Sequence, residues 1–343
     1  MPGFSEAAPG RRLRAPPLVV TVSLLLVGPG RGAAQTPTLT PLPDSVKPLR
    51  VVDVAWIDTT VHACSDFFQY ANGAWLAHDT IPAAYASSGV ARDMSDRNEL
   101  VVRSVLEDAV AGSATLPPAN TSRKLGTFYG SCMDSAAAQA VGVAPARPWL
   151  AAVAGITTRA RLVPEIAALQ RQGIDVAFRY APAADPHDAA HYLAWLSQGG
   201  LGLPDRDYYT NVGPGADSIR QHYVEHVTRL LALGGEPPAD ATSEAQLVLA
   251  FETALAEVSL TRVARREPAA TDHPMSVTEL GALAPRTGWS RYFRRLGLTV
   301  PVARVNVAEP AFVRRVDSLL VTAPLAQWRA YLRYHVLATA APG

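Results

Sequence analysis

The sequence has 343 residues, with 31 basic against 30 acidic side chains, and a net charge of +1 calls for neither a nucleic-acid nor an acidic partner. Its 48% apolar and 18% charged content is that of a globular chain with a sizeable core, and its length fits two domains or one large one.

The N-terminus opens with Arg11, Arg12 and Arg14, followed by the apolar run Leu18 to Gly28 and the small residues Gly32, Ala33 and Ala34. This order predicts a secretory signal peptide over 1–34, cut after Ala34. The run is too short to make a stable membrane span. An exported chain, periplasmic or extracellular, is therefore expected. Residues 35–51 are rich in Pro and Thr and read as a disordered linker. Ordered sequence is expected over 52–343.

Helical periodicity dominates from there. The spacing predicts a helix from Ser95 to Val110, and another from Ser122 to Ala140 with Leu125, Phe128, Tyr129 and Cys132 on one face. A third runs from Asp217 to Leu233, where Gly234 and Gly235 stop it. A fourth runs from Ser243 to Leu260 behind a Ser-x-x-Gln capping pattern. Ser276 and Glu279 cap a short helix. Pro310 starts one that reaches Leu320, and Pro324 opens the last. Ile174 to Tyr180 and His191 to Leu196 read instead as strands of a β-hairpin, with the turn at Ala183 to Asp188. The fold class is mainly α with a small hairpin.

Two histidine spacings imitate zinc motifs. His187 and His191, with Asp188 between, mimic His-Glu-x-x-His, but that motif needs a helix, and Pro186 places this pair where a turn meets a strand. His222-Tyr223-Val224-Glu225-His226 matches the inverted motif on a predicted helix. Its histidines flank the stripe of Ile219, Tyr223, Val227 and Leu230, where a packed histidine is commoner than a ligand. Glu244, Glu252 and Glu257 offer no pattern for a third ligand. No nucleophile elbow, P-loop or dinucleotide fingerprint appears. Gly199 to Gly202 lead into Leu203-Pro204 and make a turn, not a phosphate cradle. Cys64 and Cys132 could pair with each other or with cysteines outside this chain.

Four stretches carry a resemblance. Cys64 to Trp75 (CSDFFQYANGAW), Ser131 to Asp134 (SCMD), Gln198 to Tyr209 (QGGLGLPDRDYY) and Pro324 to Tyr334 (PLAQWRAYLRY) resemble, in order and spacing, the neprilysin and endothelin-converting-enzyme family of zinc metallopeptidases in its bacterial form. The resemblance covers residue 52 onward. It implies the multi-helical N-terminal lobe of a two-lobed exported endopeptidase that encloses peptide substrates. It also implies zinc in the complete enzyme, held by a His-Glu-x-x-His helix and a downstream Glu. Those residues are not in this sequence, so no catalytic, cofactor-binding or metal-binding residue is assigned, and the chain alone is expected to be inactive and zinc-free. A non-catalytic helical peptide-binding or scaffolding module is the alternative. The resemblance further implies that Cys64 and Cys132 each form a disulfide with a segment beyond this chain. Two departures stand out. Asn72 replaces a cysteine of animal members. Where those members place a substrate-binding basic residue after the Ile-Pro pair, this chain has Ser87 and Ser88, with Arg92 further on.

Overall fold

A computed structural model describes residues 53–81, 85, 87–298 and 302–340. The predicted signal peptide and linker lie outside them. The chain divides into two compact units, Met1–Met133 and Asp134–Gly343.

The first unit holds α1 (Phe67–His78), α2 (Val90–Gly112) and α3 (Thr121–Met133). Asp66 starts α1 by accepting from the Gln69 amide at 2.9 Å. Within α1, a Cβ on Gly73 would fall 2.7 Å from that of Asp58, so the glycine admits the Asp58 loop. In α3, a Cβ on Gly126 would lie 2.1 Å from the Ala109 carbonyl oxygen, so Gly126 lets α2 and α3 touch backbone to backbone. The predicted 95–110 helix is longer at both ends. The predicted 122–140 helix is two, because Asp134 interrupts it and caps α4 (Ser135–Val141) through the Ala137 amide at 2.9 Å.

The second unit continues with α5 (Arg147–Ala154) and α6 (Leu162–Arg171), then β1 (Phe178–Asp185) and β2 (Asp188–Gln198). Next come α7 (Asp207–Thr210), α8 (Pro214–Leu233), α9 (Pro238–Ala256) and α10 (Pro268–Thr271). Then follow β3 (Pro274–Ser276), α11 (Val277–Leu283), α12 (Trp289–Leu296), β4 (Arg304–Val307), α13 (Pro310–Thr322) and α14 (Leu325–Ala340). The predicted hairpin forms and extends further toward its turn. It joins a mixed sheet ordered β1-β2-β4-β3, in which β4 runs parallel to β2. The Ser276–Glu279 capping box forms as read. The predicted capping Ser243 does not start α9. The helix begins at Pro238, and the Ser243 hydroxyl donates back to the Ala239 carbonyl inside it.

Two apolar clusters fill this unit. One packs α6, the sheet, α12 and α13 around Phe178, Trp289, Tyr292 and Trp328. The other packs α8 and α9 against α14 through Tyr223, Val227, Val248 and Leu337. Each fully buried large side chain contributes roughly 1.5–3 kcal/mol. The helix α14 serves both clusters and so fixes the inner polar site between them.

Candidate functional site

The glycine-rich turn after β2 and the face of α14 converge on one carboxylate. On α9, the positions Ala245, Val248, Glu252 and Leu255 share the buried face, and Glu252 has no exposed surface. Its Oε2 accepts from the Tyr223 hydroxyl of α8 at 2.6 Å and from the Tyr209 hydroxyl at 2.8 Å. Its Oε1 accepts from the Gly202 amide at 3.2 Å and lies 2.9 Å from Nε2 of His335 on α14. Tyr209 also accepts from the Leu203 amide at 2.7 Å. Four polar partners from four segments thus meet one buried carboxyl group, the condition under which such a group is tolerated.

The glycines make room for the tyrosines. A Cβ on Gly202 would sit 2.0 Å from the Tyr223 hydroxyl and 2.8 Å from that of Tyr334. Gly200, at φ +68°, faces the Tyr331 hydroxyl, which donates to its carbonyl at 2.9 Å and accepts from the Ala177 amide at 2.8 Å. Burial pushes the phenols of Tyr209, Tyr223 and Tyr331 up, and that of Tyr334 up to about 12. A second buried acid, Glu309, anchors the start of the turn. It accepts from the Gln198 amide at 2.8 Å with Arg265 3.6 Å away, and its burial raises its pKa. At the far end, burial would raise Asp205, but the Asp207 amide and the Arg262 guanidinium outweigh that and hold it below the usual range.

This cluster holds polypeptide. Its hydroxyls and carboxylate bind backbone amides and one another, and its parts are the Gln198–Tyr209 and Pro324–Tyr334 motifs. Sequence reading placed those motifs 115 residues or more apart and gave Glu252 no role beyond an unsupported ligand. The available signal was an acid on the apolar face of a helix.

The histidine pairs are placed otherwise. His187 lies in the β1–β2 turn, with Nε2 2.8 Å from Asp272 Oδ2, and His191 lies on β2, 2.7 Å from Asp188 Oδ2. His222 and His226 occupy one face of α8 but are exposed, and His222 Nδ1 lies 2.7 Å from the Ser218 carbonyl oxygen of its own helix. They are not packed beside the apolar stripe. Among the described residues, no group of three His, Cys, Asp or Glu side chains could hold a metal ion. The residues described therefore do not fit a zinc centre. Cys64 and Cys132 are both free and exposed. Arg92 stacks over the Tyr85 ring at 4.1 Å. No helix among the described residues is long and apolar enough to cross a membrane.

The family model described as Peptidase family M13 matches residues 63–343, and the chain belongs to that family. It is 28% identical over 280 residues to neprilysin-3 of Drosophila melanogaster, across 77% of this chain and 35% of the relative. It is 26% identical over 277 residues to mouse endothelin-converting enzyme 1, with the same two coverages. The chain thus spans about a third of the length of these relatives. The inhibitor-bound zinc metalloprotease Zmp1 of Mycobacterium tuberculosis superposes with a TM-score of 0.73 at 26% identity, over 83% of this chain and 43% of that one.

Proposed function

We propose that this chain is the N-terminal, substrate-enclosing portion of an exported zinc metalloendopeptidase that hydrolyses peptides. The observation that carries the reading is the family match over 63–343, combined with coverage of only about a third of the peptidase relatives. The zinc metalloprotease likeness supports zinc in the complete enzyme. In this reading residues 52–343 form the lobe that walls the substrate space, and zinc is bound elsewhere in the complete polypeptide. Cys64 and Cys132 staple this lobe to segments outside the chain. The exposed aromatic rings beside both thiols support that assignment, since large exposed apolar side chains mark surfaces that are covered in the assembled molecule.

The purified chain is expected to leave an unstructured peptide intact and to carry no stoichiometric zinc. Mass spectrometry of the digest and elemental analysis check both. Chelator-sensitive cleavage by the pure chain, or one zinc per chain lost in His226→Ala, would overturn the reading. An in-frame His-Glu-x-x-His coding stretch downstream of Gly343 would support it.

A further inference from the structure

We propose that the exposed face of α12 is a docking surface for an acidic peptide segment. The near-zero net charge conceals a local imbalance. On α12, Trp289, Tyr292 and Phe293 enter the core, which turns Arg291, Arg294 and Arg295 outward together. Arg171, exposed at the end of α6, continues the basic surface, its Cδ near the α12 terminus at Gly297. None of these four arginine side chains makes an ion pair or hydrogen bond with a described residue. The acids of α11 and α13 are engaged elsewhere. Glu279 of α11 accepts from the Ser276 amide and hydroxyl, and Asp317 of α13 holds Arg286 and Thr287. Like charges three and four residues apart on a helix repel. The free protein therefore holds an unbalanced stripe that an anionic partner would relieve.

The surroundings select the kind of anion. Arg291 and Arg294 border a shallow trough of about 350 Å³ whose other walls include Val277, Pro285 and Trp289. A Cβ on Gly281 or Gly288 would meet nothing within 4 Å, so the trough is open along that side. Planar guanidinium groups beside an apolar floor fit a carboxylate next to an apolar side chain. An anionic membrane surface fits less well, because none of the large exposed apolar side chains lies on α11 or α12 to insert into lipid. Nucleic acid is also disfavoured, since no exposed aromatic ring stands there to stack on a base. This inference does not depend on the peptidase reading, and its test is equilibrium binding.

The test is fluorescence anisotropy of a labelled peptide of alternating Glu and Leu residues, titrated with the whole chain, beside a Lys–Leu counterpart. Saturable binding of the acidic peptide alone is expected, weakening as salt is added. Arg291→Glu combined with Arg294→Glu should weaken it about tenfold or more. Gly281→Leu, which fills the trough and leaves every charge in place, should weaken it as well. Circular dichroism melting confirms that each variant is folded, and the milder Arg291→Gln with Arg294→Gln pair replaces any that is not. Equal binding of both peptides, or affinity unchanged in the folded charge variants, would overturn the proposal. Tighter arginine-dependent binding to phosphatidylglycerol vesicles than to the peptide would also overturn it, in favour of a membrane.

Discussion

Glu252 is a carboxyl group with no exposure, and its tolerance depends on all four polar partners being present together. Glu252→Gln keeps the shape but turns an amide NH2 toward either the two tyrosine hydroxyls or the Gly202 amide and His335. The resulting mispairing is expected to cost roughly 2–4 kcal/mol. Urea unfolding followed by circular dichroism should show a lower midpoint with little change in slope. The tyrosines around it give a pH signature. Unfolded tyrosines lose their protons as pH passes about 10, whereas the buried phenols keep theirs, so the native state binds more protons and stability falls as pH rises. With its phenol pushed up to about 12, Tyr334 alone should account for roughly 2 kcal/mol of the loss between pH 9 and 12. Melting temperatures across that window should fall less in Tyr334→Phe than in the native chain.

At the scale of elements, α2 and α3 meet at Gly126, and the two glycines of α3 should respond oppositely to alanine. At Gly126 the added Cβ meets the Ala109 backbone at 2.1 Å, so the helices must part, at a cost of about 3 kcal/mol. At Gly130 it meets only the Val110 methyls, from 3.6 Å, and Gly130→Ala should stabilise by up to about 1 kcal/mol through helix propensity. Thermal unfolding of the two variants checks the pair. Helix bodies were legible because an apolar stripe repeats over several turns, as on α8 and α13. Their ends were less so. Ser243 fits a capping pattern, yet apolar Ala241 extends the buried face of α9 in front of it, and tertiary contact sets the start at Pro238. Asp134 was read inside a continuous helix, although its carboxylate competes for the Ala137 amide and breaks it. The strands β3 and β4 are three and four residues long, too short for alternation to show, and β4 exists through its pairing with β2, about 110 residues earlier. Of the polar cluster, the two ends were legible as motifs. Glu252, which joins them, was hidden beside Glu244 and Glu257, which share its sequence context.

At the scale of the whole molecule, the first unit carries a surface that its own fold leaves open. Phe67, Phe68 and Phe128 are 70%, 66% and 72% exposed. Cys64 stands three residues before Phe67, and Cys132 four residues after Phe128 on the same helix, so each free thiol borders an exposed ring. A surface of this kind on a chain purified alone favours self-association, and free thiols within it make that association covalent under oxidation. Native thiol titration should therefore find both cysteines reactive. Protein recovered from an oxidising compartment should contain disulfide-linked oligomers that reducing electrophoresis dissolves. Cys64→Ser combined with Cys132→Ser should abolish the covalent species yet leave concentration-dependent association in analytical ultracentrifugation, because the phenylalanines remain. Co-production with the remaining length of an M13 polypeptide should suppress both, as the partner segments take up the thiols and cover the rings. A stable monomer with one homogeneous Cys64–Cys132 bridge would refute this assignment, since the disulfide would then close within the chain, and would favour an autonomous helical module.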